Sequence, residues 1–182
     1  KCGAWSGERN HAVIGGEWTM KLFGRKSKKE KVTEIRAFIS GKSIPISEVN
    51  DPVFASKTLG DGIAIYPEEE IVCAPCEGVI STIAEDSRHA IGMTLNNGAE
   101  ILLHIGLDTV SMNGKGFEVF VREGEKVKAG EKLMHFDKGL IESEGFESTC
   151  ILVMANSDEF PNAKFFSGGD VVQNESVICS FE

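Results

Sequence analysis

His89 and His104 bracket the stretch of the chain best suited to chemistry, two strand-like runs joined at Asn97-Gly98. Asn-Gly between apolar runs is a strong hairpin signal, so the two histidines are expected near the open end of one β-hairpin. With a two-residue turn, Asn96 faces Ala99 and Ile91 faces His104. His89 then lies two residues along on the same face, a diagonal neighbour about 7–8 Å away at the backbone. A slip of one residue would turn the rings to opposite faces. Alternation along the second strand gives Ile101, Leu103 and Ile105 the buried side and leaves Leu102 and His104 on the other.

Paired imidazoles suit phosphoryl chemistry. A neutral imidazole nitrogen attacks phosphorus readily near neutrality, because its unperturbed pKa is about 6.5 and no tightly held proton must first be removed. The other ring nitrogen must keep its proton in a hydrogen bond, and the carbonyl of Gly106 is placed to receive it. His89 would then donate to the phosphoryl oxygens and spread a charge of about −2, with the Ser87 hydroxyl as a further donor. Two other readings stay open on spacing alone. Asp108 or Asp51 could complete a zinc-hydrolase site with the histidines, although the chain has no His-Glu-x-x-His pattern and no evident general base. A purely regulatory binding module would leave both histidines chemically silent.

The elements that must hold these residues are short. From Val32 onward, runs rich in Val, Ile, Phe and Thr are cut by turn residues such as Gly41-Lys42, Gly60-Asp61-Gly62, Asn113-Gly114 and Gly168-Gly169. That spacing predicts an all-β, antiparallel sandwich or barrel-like fold. Strands are expected at Glu34–Ser40, Gly62–Tyr66, Ile71–Ala74, Gly78–Ile83, Ala90–Leu95, Glu100–Ile105, Phe117–Phe120, Lys132–Phe136, Ile151–Ala155 and Val177–Ser180. One short helix is expected at Asp137–Ser143.

The chain divides by charge. Of 19 Lys/Arg and 28 Asp/Glu, residues 1–31 hold eight and three, which leaves eleven against twenty-five in 32–182 and a net −14 there. Such a body repels nucleic acid and favours basic partner surfaces. Residues 1–19 are read as a leader or expression-derived segment ahead of Met20. Residues 20–31, with Met20, Leu22 and Phe23 among six basic residues, are read as a tail able to touch a membrane surface weakly. No apolar run approaches the roughly 18 residues of a membrane span. Cys2, Cys73, Cys76, Cys150 and Cys179 show no regular spacing and suggest a reducing cytoplasm. Cys73 and Cys76 form a Cys-x-x-Cys without the second pair that structural zinc needs, so they are read as strand and turn residues. His11 and His135 are read as incidental or structural.

Ordered motifs then carry a resemblance over about 32–182. They run from Val49-Asn-Asp-Pro-Val-Phe-Ala through Gly60-Asp-Gly-Ile-Ala-Ile, Ala74-Pro75, Glu77-Gly78 and His89-Ala-Ile-Gly. Glu100-Ile-Leu-Leu-His-Ile-Gly-Leu-Asp-Thr-Val follows, then Gly114-Lys-Gly-Phe, Gly124 and Val127. The chain resembles the glucose-type enzyme IIA family of the bacterial sugar phosphotransferase system, whose fold is a duplicated hybrid motif. The resemblance implies that His104 is phosphorylated and His89 stabilises the phosphoryl group, with Ser87 where relatives commonly carry threonine. It also implies a shallow docking face of Val53, Phe54, Leu59, Ile91, Leu102 and Val110, and pairing of Asp51 and Asp108 with an arginine on the donor. The implied donor is the phosphocarrier protein HPr, and the implied acceptor is a cysteine on the IIB domain of a sugar permease. Regulated transporters or kinases are further partners in some relatives. No nucleotide, cofactor or catalytic metal is implied, in keeping with the missing Gly-x-x-x-x-Gly-Lys-Ser/Thr pattern.

Overall fold

The computed structural model describes residues 32–182, so the readings of 1–19 and 20–31, with Cys2 and His11, lie outside the described residues. The strands are β1 (Glu34–Arg36), β2 (Gly41–Pro45), β3 (Asp61–Pro67), β4 (Ile71–Cys73), β5 (Gly78–Ile83), β6 (Ala90–Leu95), β7 (Glu100–Ile105), β8 (Phe117–Val119), β9 (Lys126–Val127), β10 (Lys132–Phe136), β11 (Cys150–Met154), β12 (Ala163–Phe165), β13 (Asp170–Val171) and β14 (Val177–Phe181). The helices are α1 (Pro52–Ala55) and α2 (Lys138–Ser143). An eight-stranded sheet runs β13-β2-β3-β11-β7-β6-β5-β9, and two three-stranded sheets run β1-β14-β12 and β4-β10-β8. The pairing is antiparallel throughout, as the turn spacing predicts.

β7 and β11 lie side by side inside the large sheet and are covered on both faces. Ile101, Leu103 and Ile105 of β7, with Cys150, Leu152 and Met154 of β11, face the main core beside Phe38 and Phe136. Ile151 and Val153 face a smaller cluster with Ile44, Ile46, Val49, Phe54, Ala64 and Leu107, against which Leu102 packs. Each fully buried aliphatic side chain contributes roughly 1.5–3 kcal/mol, so β7 is held by its alternate residues on two independent apolar surfaces. His104 rides on the smaller side of this strand.

Three expectations change. Gly41-Lys42 opens β2 instead of a turn, and β1 ends at Arg36, with a bend at Phe38 and Ile39 ahead of β2. Gly41 lies so close to β3 that a Cβ would sit 2.1 Å from the Tyr66 carbonyl oxygen, which is why only glycine fits. A second helix, α1, forms where none was expected. Asp51 caps it by accepting from the backbone of Val53 and Phe54, with Pro52 at the first helical position, a recognisable start signal.

The hairpin turn also differs. Leu95 N–H donates to Ala99 C=O at 2.8 Å, Thr94 pairs with Glu100, and Gly98 takes φ +94°, giving a three-residue connection in place of two. Asn97 supports it by accepting from the Ala99 N–H. The register shifts by one, so Ala90 faces His104 and Ile91 faces Leu103.

Candidate functional site

The shifted register ought to separate the histidines, yet their ring centroids stand 4.6 Å apart at an interplanar angle of 89°. The reason lies at the strand end. β6 begins at Ala90, one residue after His89, and Arg88 just before it is left-handed at φ 53°. His89 still accepts from the Ile105 N–H at 2.8 Å through its carbonyl, while Ser87 Oγ and His89 Nδ1 share a hydrogen bond of 2.7 Å. The hydroxyl thus holds the ring by one nitrogen and leaves Nε2 without a hydrogen-bond partner among the described residues. Ser87, expected as a further donor to the phosphoryl group, is buried and hydrogen-bonded to His89.

Phe54 packs edge-on against His104, with centroids 4.9 Å apart and planes at 62°. This contact is fixed from below by the Asp51 cap, at 2.7 Å from Val53 N and 3.3 Å from Phe54 N. Asn50 Nδ2 donates to Glu147 Oε1 at 2.7 Å and ties the same loop to the segment before β11. Gly106 follows β7 at φ +76°, and its N–H donates to the Thr149 carbonyl at 2.9 Å. Burial holds the His104 pKa down to about 4, with His89 adding to the effect and Asp51 and the Gly106 carbonyl opposing it. Burial likewise lowers the pKa of His89. Both rings are therefore uncharged near neutrality, each with one N–H and one lone pair, and on His89 one of the two nitrogens is engaged by Ser87.

The exposed rim is narrower than the sequence suggested. Val53, Leu59 and Val110 are 46%, 42% and 56% exposed, and Asp108 is exposed in a left-handed conformation ahead of the 3-10 turn Thr109–Met112. Leu102 is partly buried. Phe54 is buried beneath His104, and Ile91 is wholly inside the main core because the one-residue shift turns it away from the histidine face. Neither belongs to an exposed docking surface.

This geometry can be set beside known proteins. The family model for the phosphoenolpyruvate-dependent sugar phosphotransferase system, EIIA 1, matches residues 33–160. The chain belongs to that family. Among EIIA relatives, the glucose-specific EIIA component of Bacillus anthracis is 45% identical over 158 residues, covering 87% of this chain and 94% of the relative. The Haemophilus influenzae component of the same description is 39% identical over 162 residues, covering 89% and 96%. The solved glucose permease IIA from Mycoplasma capricolum superposes with a TM-score of 0.69 at 35% identity, over 80% of this chain and 93% of that one. The EIIA fold is a β-sandwich, in agreement with the antiparallel sheets described above.

Elsewhere in the EIIA chain, Cys73, Cys76, Cys150 and Cys179 are free and buried, and burial raises all four thiol pKa values, those of Cys76 and Cys179 to about 12. Among the described residues, no group of three or more His, Cys, Asp and Glu side chains is arranged to hold a metal ion. The zinc-hydrolase alternative thus finds no third ligand beside the histidine pair among the described residues. Among the described residues, no helix is long and apolar enough to cross a membrane. Two residues of the site carried no signal read from the sequence. Arg88 looks like any exposed charge, and the buried Thr109 passes for a turn residue, although its position three after Gly106 marks it as a residue able to bond back onto that turn.

Proposed function

We propose that His104 accepts a phosphoryl group from phospho-HPr and passes it to a cysteine on the IIB domain of a sugar permease, driving coupled uptake and phosphorylation of the sugar. The observation that carries this reading is the perpendicular approach of two uncharged imidazoles at 4.6 Å. Gly106 lies two residues beyond His104, a spacing suited to Nδ1, the ring nitrogen nearer the backbone. Nε2 is then the nucleophile. Its lone pair attacks phosphorus as the P–N bond to the donor histidine breaks, and the donor ring, protonated on its other nitrogen, takes the bonding pair and leaves as neutral imidazole, so no proton passes between the rings. The proton of His104 stays on Nδ1 throughout. His89, with Nδ1 occupied by Ser87, turns Nε2 toward the incoming oxygens, and a proton there bonds the phosphoryl group.

Val53, Leu59 and Val110 form a small apolar anchor beside Asp108, suited to an encounter in which charge sets the on-rate and a limited apolar area keeps release fast. Asp51 bears on His104 through its charge and on docking through α1. Relatives described as glucose-specific favour glucose as the sugar. The donor and permease reactions place the chain in the cytoplasm. When unphosphorylated, the same face is free for regulated transporters or kinases. Incubation with labelled phosphoenolpyruvate, enzyme I and HPr tests the reading. Acid-labile, base-stable label is expected on the chain and is discharged by the IIB domain with sugar. Label that resists acid, or that IIB cannot discharge, contradicts it.

A further inference from the structure

Thr109 is fully buried, although threonine is usually at least partly exposed. Its Oγ1–H donates to the Ile105 carbonyl at 2.6 Å, with the Gly106 carbonyl 3.4 Å away as a second, weaker acceptor. Its methyl group covers the other side of the same turn, since a Cβ on Gly106 would meet Thr109 Cγ2 at 2.3 Å. The peptide between Ile105 and Gly106 is thus held by the Thr109 hydroxyl on one side and by Gly106 N–H to the Thr149 carbonyl at 2.9 Å on the other. The next peptide, which carries the Gly106 carbonyl, meets Thr109 Oγ1 at 3.4 Å and is held by Leu107 N–H to the Glu147 carbonyl at 2.9 Å. Gly106 sits at φ +76°, where glycine has wide freedom to rotate, so its carbonyl direction depends on these neighbours. That carbonyl is the group able to keep the proton on one nitrogen of His104.

We propose that Thr109 is a positioning residue for phosphoryl transfer, aiming the Gly106 carbonyl at His104 and so fixing which ring nitrogen carries the proton and which is free to attack. This deepens the reading of His104 as the nucleophile and rests on it. Val in place of Thr109 keeps the shape and removes the hydroxyl, whereas Ser keeps the hydroxyl and removes the methyl. The effect expected from losing such a supporting contact is about tenfold on the transfer rate.

The experiment is a pair of measurements on wild type, Thr109→Val and Thr109→Ser. Histidine side-chain 15N spectra of the unphosphorylated chain report the tautomer of His104, and rapid-quench transfer from phospho-HPr reports the rate and the KM separately. Wild type and T109S are expected to hold the proton on Nδ1. T109V is expected to show a tautomer mixture and about tenfold slower transfer at unchanged KM. A T109V protein with a single Nδ1–H tautomer and wild-type rate overturns the proposal. If T109V does not fold, T109S decides: a folded T109S with mixed tautomers overturns it, and one with the wild-type tautomer supports it. The tautomer reading requires no transfer, so label found on a residue other than His104 would defeat the wider mechanism separately.

Discussion

Two strand histidines in this molecule have similar sequence surroundings and different fates. His104 in β7 follows Leu102-Leu103, and His135 in β10 follows Leu133-Met134. His135 is more than a third exposed at its side chain, with its Nε2 3.9 Å from Glu70 Oε2. His104 is half-buried, against a second imidazole and a phenyl edge. The strand is therefore not what sets the two histidines apart. The difference comes from what the flanking turns supply: a left-handed Arg88 before one ring, a left-handed Gly106 after the other, and a capped helix pressing Phe54 in from the side.

The largest effect should separate these two regions outright. His104→Gln is expected to abolish labelling from phospho-HPr, and His135→Gln to leave it unchanged; equal labelling of both variants would erase the contrast. Next in size, His89→Gln should still accept the phosphoryl group but transfer it to the IIB domain about 10²-fold more slowly, the usual cost of removing one donor to developing charge. Stopped-flow transfer to IIB, with docking affinity measured alongside, checks that the loss is in the rate.

A smaller effect appears in stability against pH. Burial lowers the folded-state pKa of His104 to about 4, while an unfolded chain returns it to about 6.5. Between these values the unfolded chain binds more protons. The contribution of His104 to stability is therefore full above about pH 6.5 and is lost as pH falls through about 4. Urea midpoints should drop across this window less steeply for His104→Gln than for wild type, and equal slopes would contradict the assigned burial. Smallest, Asp51→Ala should cost about 1 kcal/mol through loss of the α1 cap, seen as a lower urea midpoint.

Much of this was legible in the sequence because β7 and β11 are both apolar runs of strand length: Ile101, Leu103 and Ile105 of β7 took the core face as expected, and β11 is buried at every position. The short β2, β9, β12 and β13 were not, since strands of two to five residues rely on their neighbours more than on their own composition. The hairpin register failed for a definite reason. Asn96-Asn97-Gly98 can close as a two-residue turn or as three residues ending in a left-handed glycine, and the same letters fit both. That slip misplaced Ile91. The convergence of His89 on His104 survived it because His89 lies outside β6, where the period of two no longer binds its side chain. Nothing in the letter Arg88 announces that break.

The most direct test of the account is 15N–31P NMR of the uniformly 15N-labelled phosphorylated chain. A one-bond coupling to Nε2 of His104 alone, with the proton retained on Nδ1, is the predicted result. Coupling to Nδ1 of His104, or to either nitrogen of His89, would contradict it.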